Sequence, residues 1–463
     1  MRAALAAILL APALAACSMA PKYVRAEAPV PASWPAGDAY LIQSEAALPS
    51  VSYRDIFRDP RLQQLVERAL ASNRDLRVAA ANLAAARAQV RVQRAQQLPQ
   101  VAVTASVDRT DAQGTPASTS YALRGGISAF ELDLFGRLAN ATAAERQKAL
   151  ATEAAARTVR LGLVADIATA WATYAADAEL LRIAESTAAS ARRSVELTRA
   201  RLTGGIAPRG DLRQAEQILA TAEGDVAEQK TALAQDINLL RLLVGGPIDP
   251  ALLPADLDAV AASIATLPPG TGSDVLLRRP DVLEAEYQLR AANANIGVAR
   301  AELFPRISLT GLLGLASDTL GALFTSGALG TSLGADASYA IFSGGGARAN
   351  VAVSKAQRDA ALATYEGAIQ TAFREVADAL ARQGTIGEEV RAATAQVTAA
   401  ADNARLAEAR YRGGIDSFLD NLDAQRSLYA AQRGLAATRL TLVQNRIALY
   451  RALGGDQASD AAR

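Results

Sequence analysis

The fold is decided at a glycine turn, Tyr411-Arg412-Gly413-Gly414-Ile415-Asp416-Ser417-Phe418-Leu419-Asp420-Asn421-Leu422-Asp423-Ala424, which lies between two of the longest uninterrupted helical patterns in the chain. A similar turn occurs 209 positions upstream, at Arg201-Leu202-Thr203-Gly204-Gly205-Ile206-Ala207-Pro208-Arg209-Gly210-Asp211. Between Ala200–Gln217 and Ala409–Arg426, 7 of 18 positions are identical. Because the identical positions include glycines and an aspartate, the abundance of alanine in the chain does not explain the match. The sequence therefore predicts an internal duplication in which each half ends in a helical hairpin.

Length and composition exclude several classes of protein. The chain has 463 residues, 48 basic and 47 acidic side chains, no histidine and a single cysteine. No basic run interleaved with aromatic residues indicates a nucleic-acid partner. One cysteine without histidine can form neither an internal disulfide nor a metal cluster. The sequence also lacks a Walker loop and a G-x-S-x-G elbow, so neither catalysis nor a cofactor is expected.

The N-terminus resembles a bacterial export signal. Arg2 precedes the apolar run Ala3–Leu10, and Leu14-Ala15-Ala16 precedes Cys17. A cysteine at the cleavage position marks a lipoprotein signal, so Cys17 is predicted to become the N-terminus and to carry an S-diacylglycerol and an N-acyl chain. An ordinary signal with an incidental cysteine is the alternative. Ser18 stands where an aspartate would favour inner-membrane retention, which favours the outer membrane.

Four segments alternate apolar with polar or small residues and are predicted to be β-strands. They begin at Val101, near Tyr121, at Ile307 and at Leu333, and the last alternation reaches Ile341. Each spans about 9–11 residues, the length of a tilted strand that crosses a bilayer. Four strands are too few to close a membrane barrel, which needs about eight, so an oligomer must share one barrel. A soluble four-stranded sheet is the alternative.

Long helical patterns connect the strands to the glycine turns. Leu138–Leu202 contains no proline and only Gly162 as a breaker, so it is predicted to be one helix of roughly 65 residues, about 98 Å long. Ala347–Tyr411 is comparable. Dense alanine lets such helices approach one another closely, as in a coiled coil. In the mature chain, no apolar stretch of about twenty residues indicates a transmembrane helix.

Several motifs point to one family. They are Leu277-Arg278-Arg279-Pro280-Asp281-Val282-Leu283-Glu284-Ala285-Glu286, Ala291-Ala292-Asn293-Ala294-Asn295-Ile296-Gly297, Phe304-Pro305, Glu131-Leu132-Asp133-Leu134-Phe135-Gly136-Arg137 and Leu453-Gly454-Gly455. With them the chain resembles the outer-membrane factors of tripartite efflux pumps, the TolC-like family, and specifically its lipoprotein branch serving RND-type transporters. The resemblance implies a mixed α and β fold. Four strands would contribute to a trimeric twelve-stranded transmembrane β-barrel, and long helices would form a periplasmic coiled-coil barrel.

The chain is expected to divide into five segments. These are a signal peptide at 1–16, a lipidated, proline-rich extended segment at 17–58, a first repeat at 59–250, a second repeat at 251–456 and a tail at 457–463. Each repeat would contain helices, two strands and a helical hairpin.

The resemblance also implies a gate at the periplasmic tip, where the glycine turns lie. Asp420 and Asp423 are three residues apart on one helix face, and in a trimer they would form a ring of carboxylates. Leu419 and Leu422 would add an apolar constriction. Capping of a helix start is an additional role for Asp420 and for Asp211, and a solvated surface position is the alternative for Asp423.

An interhelical latch is implied at Tyr411 and Asp211. Some family members carry a basic latch residue where this chain has Asp416, so Arg209 or Arg412 is expected to substitute. The tips expected to contact a periplasmic adaptor are Gly204, Gly205, Gly413 and Gly414.

The functional prediction is a passive exit duct in the outer membrane. A homotrimer in contact with outer-membrane lipid would dock with a periplasmic adaptor (membrane fusion) protein and an inner-membrane RND transporter, and would pass drugs or other small molecules outward through an iris-like gate. Two alternatives stay open: a duct for type I protein secretion, and a non-conducting structural lipoprotein of the envelope.

Overall fold

The computed structural model describes residues 18–35, 37, 39–40, 52–111, 114, 117–266 and 272–455. The predicted signal peptide, the predicted lipidation site Cys17 and the predicted tail at 457–463 lie outside the described residues. The helices are α1 Tyr53–Ile56, α2 Pro60–Ser72, α3 Arg74–Ala95, α4 Arg137–Thr203, α5 Arg209–Val244, α6 Leu257–Ser263, α7 Pro280–Ala301, α8 Gly346–Arg412 and α9 Phe418–Ala452. The strands are β1 Val101–Thr110, β2 Ser118–Leu132, β3 Arg306–Ser317 and β4 Leu329–Ser338. Short 3₁₀ helices lie at Pro250–Leu252, Ser273–Arg278 and Gly321–Phe324.

The chain divides into two compact units. One takes in the described part of Met1–Ala28, together with Ala80–Ala155 and Leu283–Ala368, and contains the four strands. The helical unit takes in the described parts of Pro29–Ala79, Ala156–Val282 and Ile369–Arg463. Helices α4 and α8 have 67 residues each and contribute to both units, which confirms the two long helices predicted from the sequence.

The strand-bearing unit carries one antiparallel sheet in the order β1-β2-β3-β4. β1 pairs with β2, and β3 with β4, as two hairpins that are local in sequence. The central pairing of β2 with β3 joins the two halves of the chain and places Tyr121 opposite Ser317. The sheet confirms the four predicted strands and shows that each half supplies one hairpin.

Strand β4 ends earlier than the sequence pattern predicts. The alternation continues to Ile341, but the strand stops at Ser338, opposite Arg306. Pro305 precedes Arg306 and has no N–H, so the chain before β3 cannot donate to β4 at the next position. The paired length is therefore limited by β3 and not by the side-chain pattern of β4.

Glycine allows the two hairpins to approach at the central seam. A Cβ atom at Gly314 would lie 2.5 Å from the Leu123 carbonyl oxygen, and one at Gly126 would collide with the Gly311 carbonyl. Any larger residue at either position would push β2 and β3 apart.

The edge strands β1 and β4 are exposed along their whole length. Their exposed side chains include Val101, Val103, Leu329 and Leu333. Within the described residues, the outer edge of each strand has no strand partner. The sheet thus presents two open, partly apolar edges, which an isolated protein does not normally leave uncovered.

In the same unit, an extended segment at 18–25 lies along α7. The Ser18 hydroxyl donates a hydrogen bond to Asn140 Oδ1 at 2.7 Å, and the Asn293 amide donates to the Pro21 carbonyl at 2.8 Å. The Arg25 guanidinium donates to both oxygens of Glu286, at 2.9 and 2.5 Å. These contacts fix the chain immediately after residue 17.

Glu286 is the centre of this attachment, since its side chain is only 2% exposed. It also accepts hydrogen bonds from Arg290 at 2.6 Å and from the Tyr23 hydroxyl at 3.2 Å. Burial disfavours the charged carboxylate, but the hydrogen bonds and charges of Arg25 and Arg290 outweigh burial and hold the pKa of Glu286 below its usual value.

The helical unit is held by buried aromatic and charged groups. The Trp171 indole donates to the Leu252 carbonyl at 2.9 Å, with the Arg61 guanidinium 5.5 Å from its ring centroid. Buried Arg279 pairs with Asp281 at 2.7 Å and with Glu375 at 2.8 Å. None of the helices in the described ranges combines the length and apolar character needed to cross a bilayer.

Replacing Glu286 by Gln is expected to loosen the N-terminal segment. Gln keeps the size of the side chain but leaves the partly exposed Arg25 and Arg290 without their counter-charge, at a cost of about 1–3 kcal/mol. Hydrogen exchange of the amides at 18–25 should accelerate and the melting temperature should fall, whereas Glu27→Gln, at an exposed acid just after this segment, should change neither.

The same contacts predict a pH dependence. Because the pKa of folded Glu286 is lowered, its contribution is present above the ordinary carboxyl value of 4.5 and is lost as the pH falls through the lowered value. Wild-type protein should lose protection at 18–25 in that acidic range, and Glu286→Gln should not. Equal protection of the two proteins at neutral pH would contradict this role for Glu286.

Candidate functional site at the hairpin tips

The two glycine turns have the same backbone conformation. In the first turn the N–H groups of Gly204, Gly205 and Ile206 donate to carbonyls of the last turn of α4 at 3.0, 3.0 and 2.9 Å. The second turn repeats these bonds at Gly413, Gly414 and Ile415, with the same three distances. Gly205 and Gly414 have φ values of +74° and +73°, which favour glycine. The predicted duplication therefore extends to the hydrogen bonds of the turns.

A buried apolar cluster joins the ends of the four long helices next to these turns. This tip cluster consists of Val195, Leu212, Ala215, Tyr411, Phe418 and Leu422. The rings of Tyr411 and Phe418 lie 5.6 Å apart and are tilted by 58°. Because its members come from α4, α5, α8 and α9, the cluster fixes the two hairpins to each other.

Arg201 completes this contact, and sequence reasoning missed it. Its guanidinium lies 4.7 Å from the Tyr411 ring centroid and donates to the Tyr411 carbonyl at 2.9 Å. The Tyr411 hydroxyl is 3.5 Å from the Thr198 hydroxyl, at the long limit for a hydrogen bond. The cationic group that reaches Tyr411 from the first hairpin is therefore Arg201 and not Arg209.

Comparison of the repeats explains why Arg201 is available. Its equivalent in the second repeat is Arg410, which forms a two-bond ion pair with Asp416 of its own turn at 2.6 and 2.8 Å. The position equivalent to Asp416 in the first repeat is Ala207. Without a local carboxylate, Arg201 can cross to the other hairpin. Alignment of the two repeats could have revealed this difference from the sequence alone.

The basic partner of Asp416 is thus Arg410. Its hydrogen bond and charge lower the pKa of Asp416. Arg412 pairs instead with Glu408 of its own helix. Arg209 is exposed at the start of α5.

The acidic residues of the predicted gate occupy different environments. Asp420 forms a capping box with Ser417: its carboxylate accepts from the Ser417 N–H at 3.2 Å and from the hydroxyl at 2.7 Å. Asp211, its equivalent, is half-buried in the first turn of α5, where the preceding cap position is Pro208. Asp423 is exposed, with Arg426 at 3.9 Å. Asp420 therefore has a capping role, whereas Asp423 does not.

The two leucines of the predicted constriction point in different directions. Leu419 is 54% exposed, whereas Leu422 is 3% exposed and belongs to the tip cluster. Only Leu419 shares an exposed face with Asp423, four residues further along α9.

Comparison with known proteins settles the family. The family model for outer membrane efflux proteins matches residues 65–246 and 271–455. The chain belongs to the outer membrane efflux protein family. This efflux protein is 44% identical over 455 residues to the probable efflux pump outer membrane protein TtgC of Pseudomonas putida. The alignment covers 96% of this chain and 93% of TtgC. Membership confirms the predicted family and the predicted location in the outer membrane.

Solved channels share the fold of this outer membrane efflux protein. CusC matches with a TM-score of 0.85 and 34% identity, over 95% of this chain and 100% of CusC. The open state of the MtrE outer membrane channel of Neisseria gonorrhoeae matches with a TM-score of 0.84 and 33% identity, over 95% of this chain and 98% of MtrE. The likeness confirms the predicted fold class, a mixed α and β chain with four strands for a membrane barrel and long periplasmic helices.

Ala207→Asp should weaken the contact between the hairpins of the efflux protein. The new carboxylate would pair with Arg201, as Asp416 pairs with Arg410, and would draw the guanidinium away from Tyr411. Loss of a charged hydrogen bond and a cation–π contact costs about 1–3 kcal/mol, so amide exchange in the last turn of α8 should accelerate by about tenfold or more. Ala207→Asn, which adds a similar shape without charge, is the control; equal exchange in both variants would show that Arg201 does not hold the tip.

Proposed function

We propose that this protein is the outer-membrane exit duct of a tripartite RND-type efflux pump, acting as a homotrimer that conducts small molecules passively from the periplasm to the exterior. The observation that carries the proposal is the four-stranded sheet with two open apolar edges, in a chain of the outer membrane efflux family. Passive conduction places the energy source in the inner-membrane transporter.

Shared strands account for the trimer. In hydrocarbon every backbone N–H and C=O must be paired, so β1 and β4 need partners from other copies. Three copies supply twelve strands, which is within the range of closed membrane barrels. The exposed valines and leucines of β1 and β4 then face lipid or a neighbouring copy.

The gate is assigned to the first turns of α9. With Leu422 held in the tip cluster, Leu419 supplies the apolar constriction, and Asp420 and Asp423 add carboxylates beside it. In a threefold ring these groups would narrow the opening and favour cations over anions.

Opening requires α9 and α8 to move against the first hairpin. The contacts to be broken are the tip cluster, the Arg201–Tyr411 contact and, further along, a hydrogen bond of 2.8 Å from the Tyr429 hydroxyl to Asp225. Burial and the Asp225 carboxylate raise the pKa of Tyr429 to about 12, so its hydroxyl keeps the donated proton at physiological pH. A partner opens the gate only if it binds the open state more tightly than the closed state.

The tips supply two matching surfaces for a periplasmic adaptor protein. Ile206 is 72% exposed and Ile415 is 68% exposed, each directly after its Gly-Gly pair. The equal backbone geometry of the two turns presents these side chains in the same way. An adaptor with one apolar recess could therefore engage either tip.

Lipidation of Cys17 would fix the N-terminus at the membrane. The acyl chains contribute about 0.8 kcal/mol per buried methylene, enough for stable anchoring when several chains are present. Ser18 and the following residues are bound to α7 and to Asn140, so the anchored end belongs to the strand-bearing unit.

Single-channel recording in planar bilayers tests the duct and its gate. Wild-type trimers should give a small current, and the double variant Asp420→Asn/Asp423→Asn should give a severalfold larger one, because the carboxylate charge is lost while the amide at 420 retains an acceptor for Ser417. Asp402→Asn, at an exposed acid of α8 away from the turn, is the control and should leave the current unchanged. Absence of current from wild-type trimers would favour the non-conducting structural lipoprotein.

Adaptor docking is tested in cells that depend on the pump for drug resistance. Ile206→Asp and Ile415→Asp should each reduce resistance, because a carboxylate cannot enter an apolar recess without losing its hydration. Thr203→Asp adds the same charge at an exposed polar position of the first tip and should have little effect. The proposal fails at this point if all three variants behave alike while trimer amount and conductance are unchanged.

A further inference from the structure

The helical unit contains a basic groove that the duct function does not use. Its volume is about 530 Å³. The residues that define it here are Arg58, Asp258, Val390, Arg439, Leu442 and Arg446. They come from the residues after α1, from α6, and from α8 and α9, at a place separate in sequence from both glycine turns.

Arg446 is the unusual group in this basic groove. It is half-buried, and its Nη1 donates to the carbonyls of Ala261 and Ile264 at 2.6 and 3.0 Å. Among the described residues, no carboxylate lies within ion-pair distance of it. Burial lowers the pKa of Arg446, with no nearby acid acting against burial. Removing a guanidinium from water without a counter-charge is costly. This cost suggests that the counter-ion is a separate anion and not a residue of the chain.

Arg58 brings a second positive charge to the same segment. Its backbone N–H donates to the Ser263 carbonyl at 2.9 Å, next to a β-bridge between Phe57 and Ile264. The side chain is exposed, and its Nε donates to the Asp55 carbonyl at 3.3 Å. In the described part of the chain it forms no ion pair. The groove thus has two guanidinium groups that carbonyls orient but do not neutralise.

The remaining lining limits the kind of anion. Arg439 is already paired with Asp258 at 3.2 Å and with Glu179 at 3.6 Å, so it adds little net charge. The Asp258 carboxylate would repel a doubly charged anion more than a singly charged one. Val390 and Leu442 provide apolar surface beside the arginines.

We propose that the basic groove binds a carboxylate carried on a short apolar stem, as in a small organic acid or at the end of a peptide. The carboxylate would accept charge-assisted hydrogen bonds from the unused N–H groups of Arg446 and Arg58. Its stem would pack on Val390 and Leu442. This site is independent of conduction and of the tips.

Saturation-transfer NMR on the purified trimer tests the proposal with butyrate and with butyramide, its neutral analogue. For a site that takes small acids, butyrate should bind and butyramide should not. Alanyl-alanine and its C-terminal amide form a second pair that distinguishes a peptide source from a small acid: binding by the peptide acid alone places the ligand in a peptide, and binding by butyrate alone places it among small acids.

Variants locate the binding. Arg446→Gln should weaken butyrate binding by at least about tenfold, the usual effect of losing a hydrogen bond between charged groups. Arg451→Gln, on the same helix but outside the groove, should bind as wild type does. Because Arg446 also holds two backbone carbonyls, Arg58→Gln serves as a second variant that disturbs less structure, and it should weaken binding too.

The proposal would be overturned if neither butyrate nor alanyl-alanine bound, if butyrate and butyramide bound equally, or if Arg446→Gln and Arg58→Gln both left binding unchanged. Binding of sulfate as tight as that of butyrate would also overturn it, because the groove would then be a general anion site.

Discussion

A β-sheet in a lipid bilayer can leave no backbone N–H or C=O unpaired, and this chain cannot meet that requirement alone. Its four strands pair with one another, but in the part of the chain that the structure describes β1 and β4 have no strand partner on their outer sides. Apolar side chains such as Val103 and Leu333 make those edges more costly in water as well. Assembly is therefore built into the sheet, and the proposed trimer is the arrangement in which the edges disappear.

The hairpin tips show how a duplicated sequence can form an asymmetric contact. Both turns keep the same glycine conformation and the same hydrogen bonds. Among the positions at which they differ, Asp416 in the second turn corresponds to Ala207 in the first. In the second hairpin the local carboxylate occupies Arg410, so that turn is electrostatically self-contained. In the first hairpin the equivalent arginine contacts Tyr411 of the other hairpin. The contact between the repeats thus forms where the first turn lacks the acidic side chain of the second.

Much of the fold could be predicted from the sequence, because the relevant signals are local. Alternation over ten residues identifies a strand, and the absence of proline from Leu138–Leu202 identifies a continuous helix. The trimeric assembly was predicted from the resemblance to the family. The end of β4 could not be predicted in this way, since it depends on Pro305, which precedes a different strand.

The contacts at the hairpin tips were less predictable, because tertiary packing determines which side chains meet. Leu419 and Leu422 look equivalent in the sequence, yet only Leu422 is buried against the other hairpin. Asp420 is predicted to cap a helix because it lies at a helix start, and its capping box with Ser417 confirms this. Arg201 was not identified, because nothing within its own helix indicates that it contacts Tyr411. The predicted roles in gating stay predictions, which conductance can test.

The pairing of β2 with β3 has a consequence for the order of folding. Tyr121 and Ser317 face each other across the seam, so nearly two hundred residues must be synthesised between these partners. Each hairpin can form from neighbouring residues, whereas closing the seam requires closure of a long loop. A two-stranded hairpin is marginal by itself, and the first one would have to wait for the second. During synthesis and export the early half would therefore expose β2 to any other strand, which makes this seam the point where nascent chains are most open to mispairing.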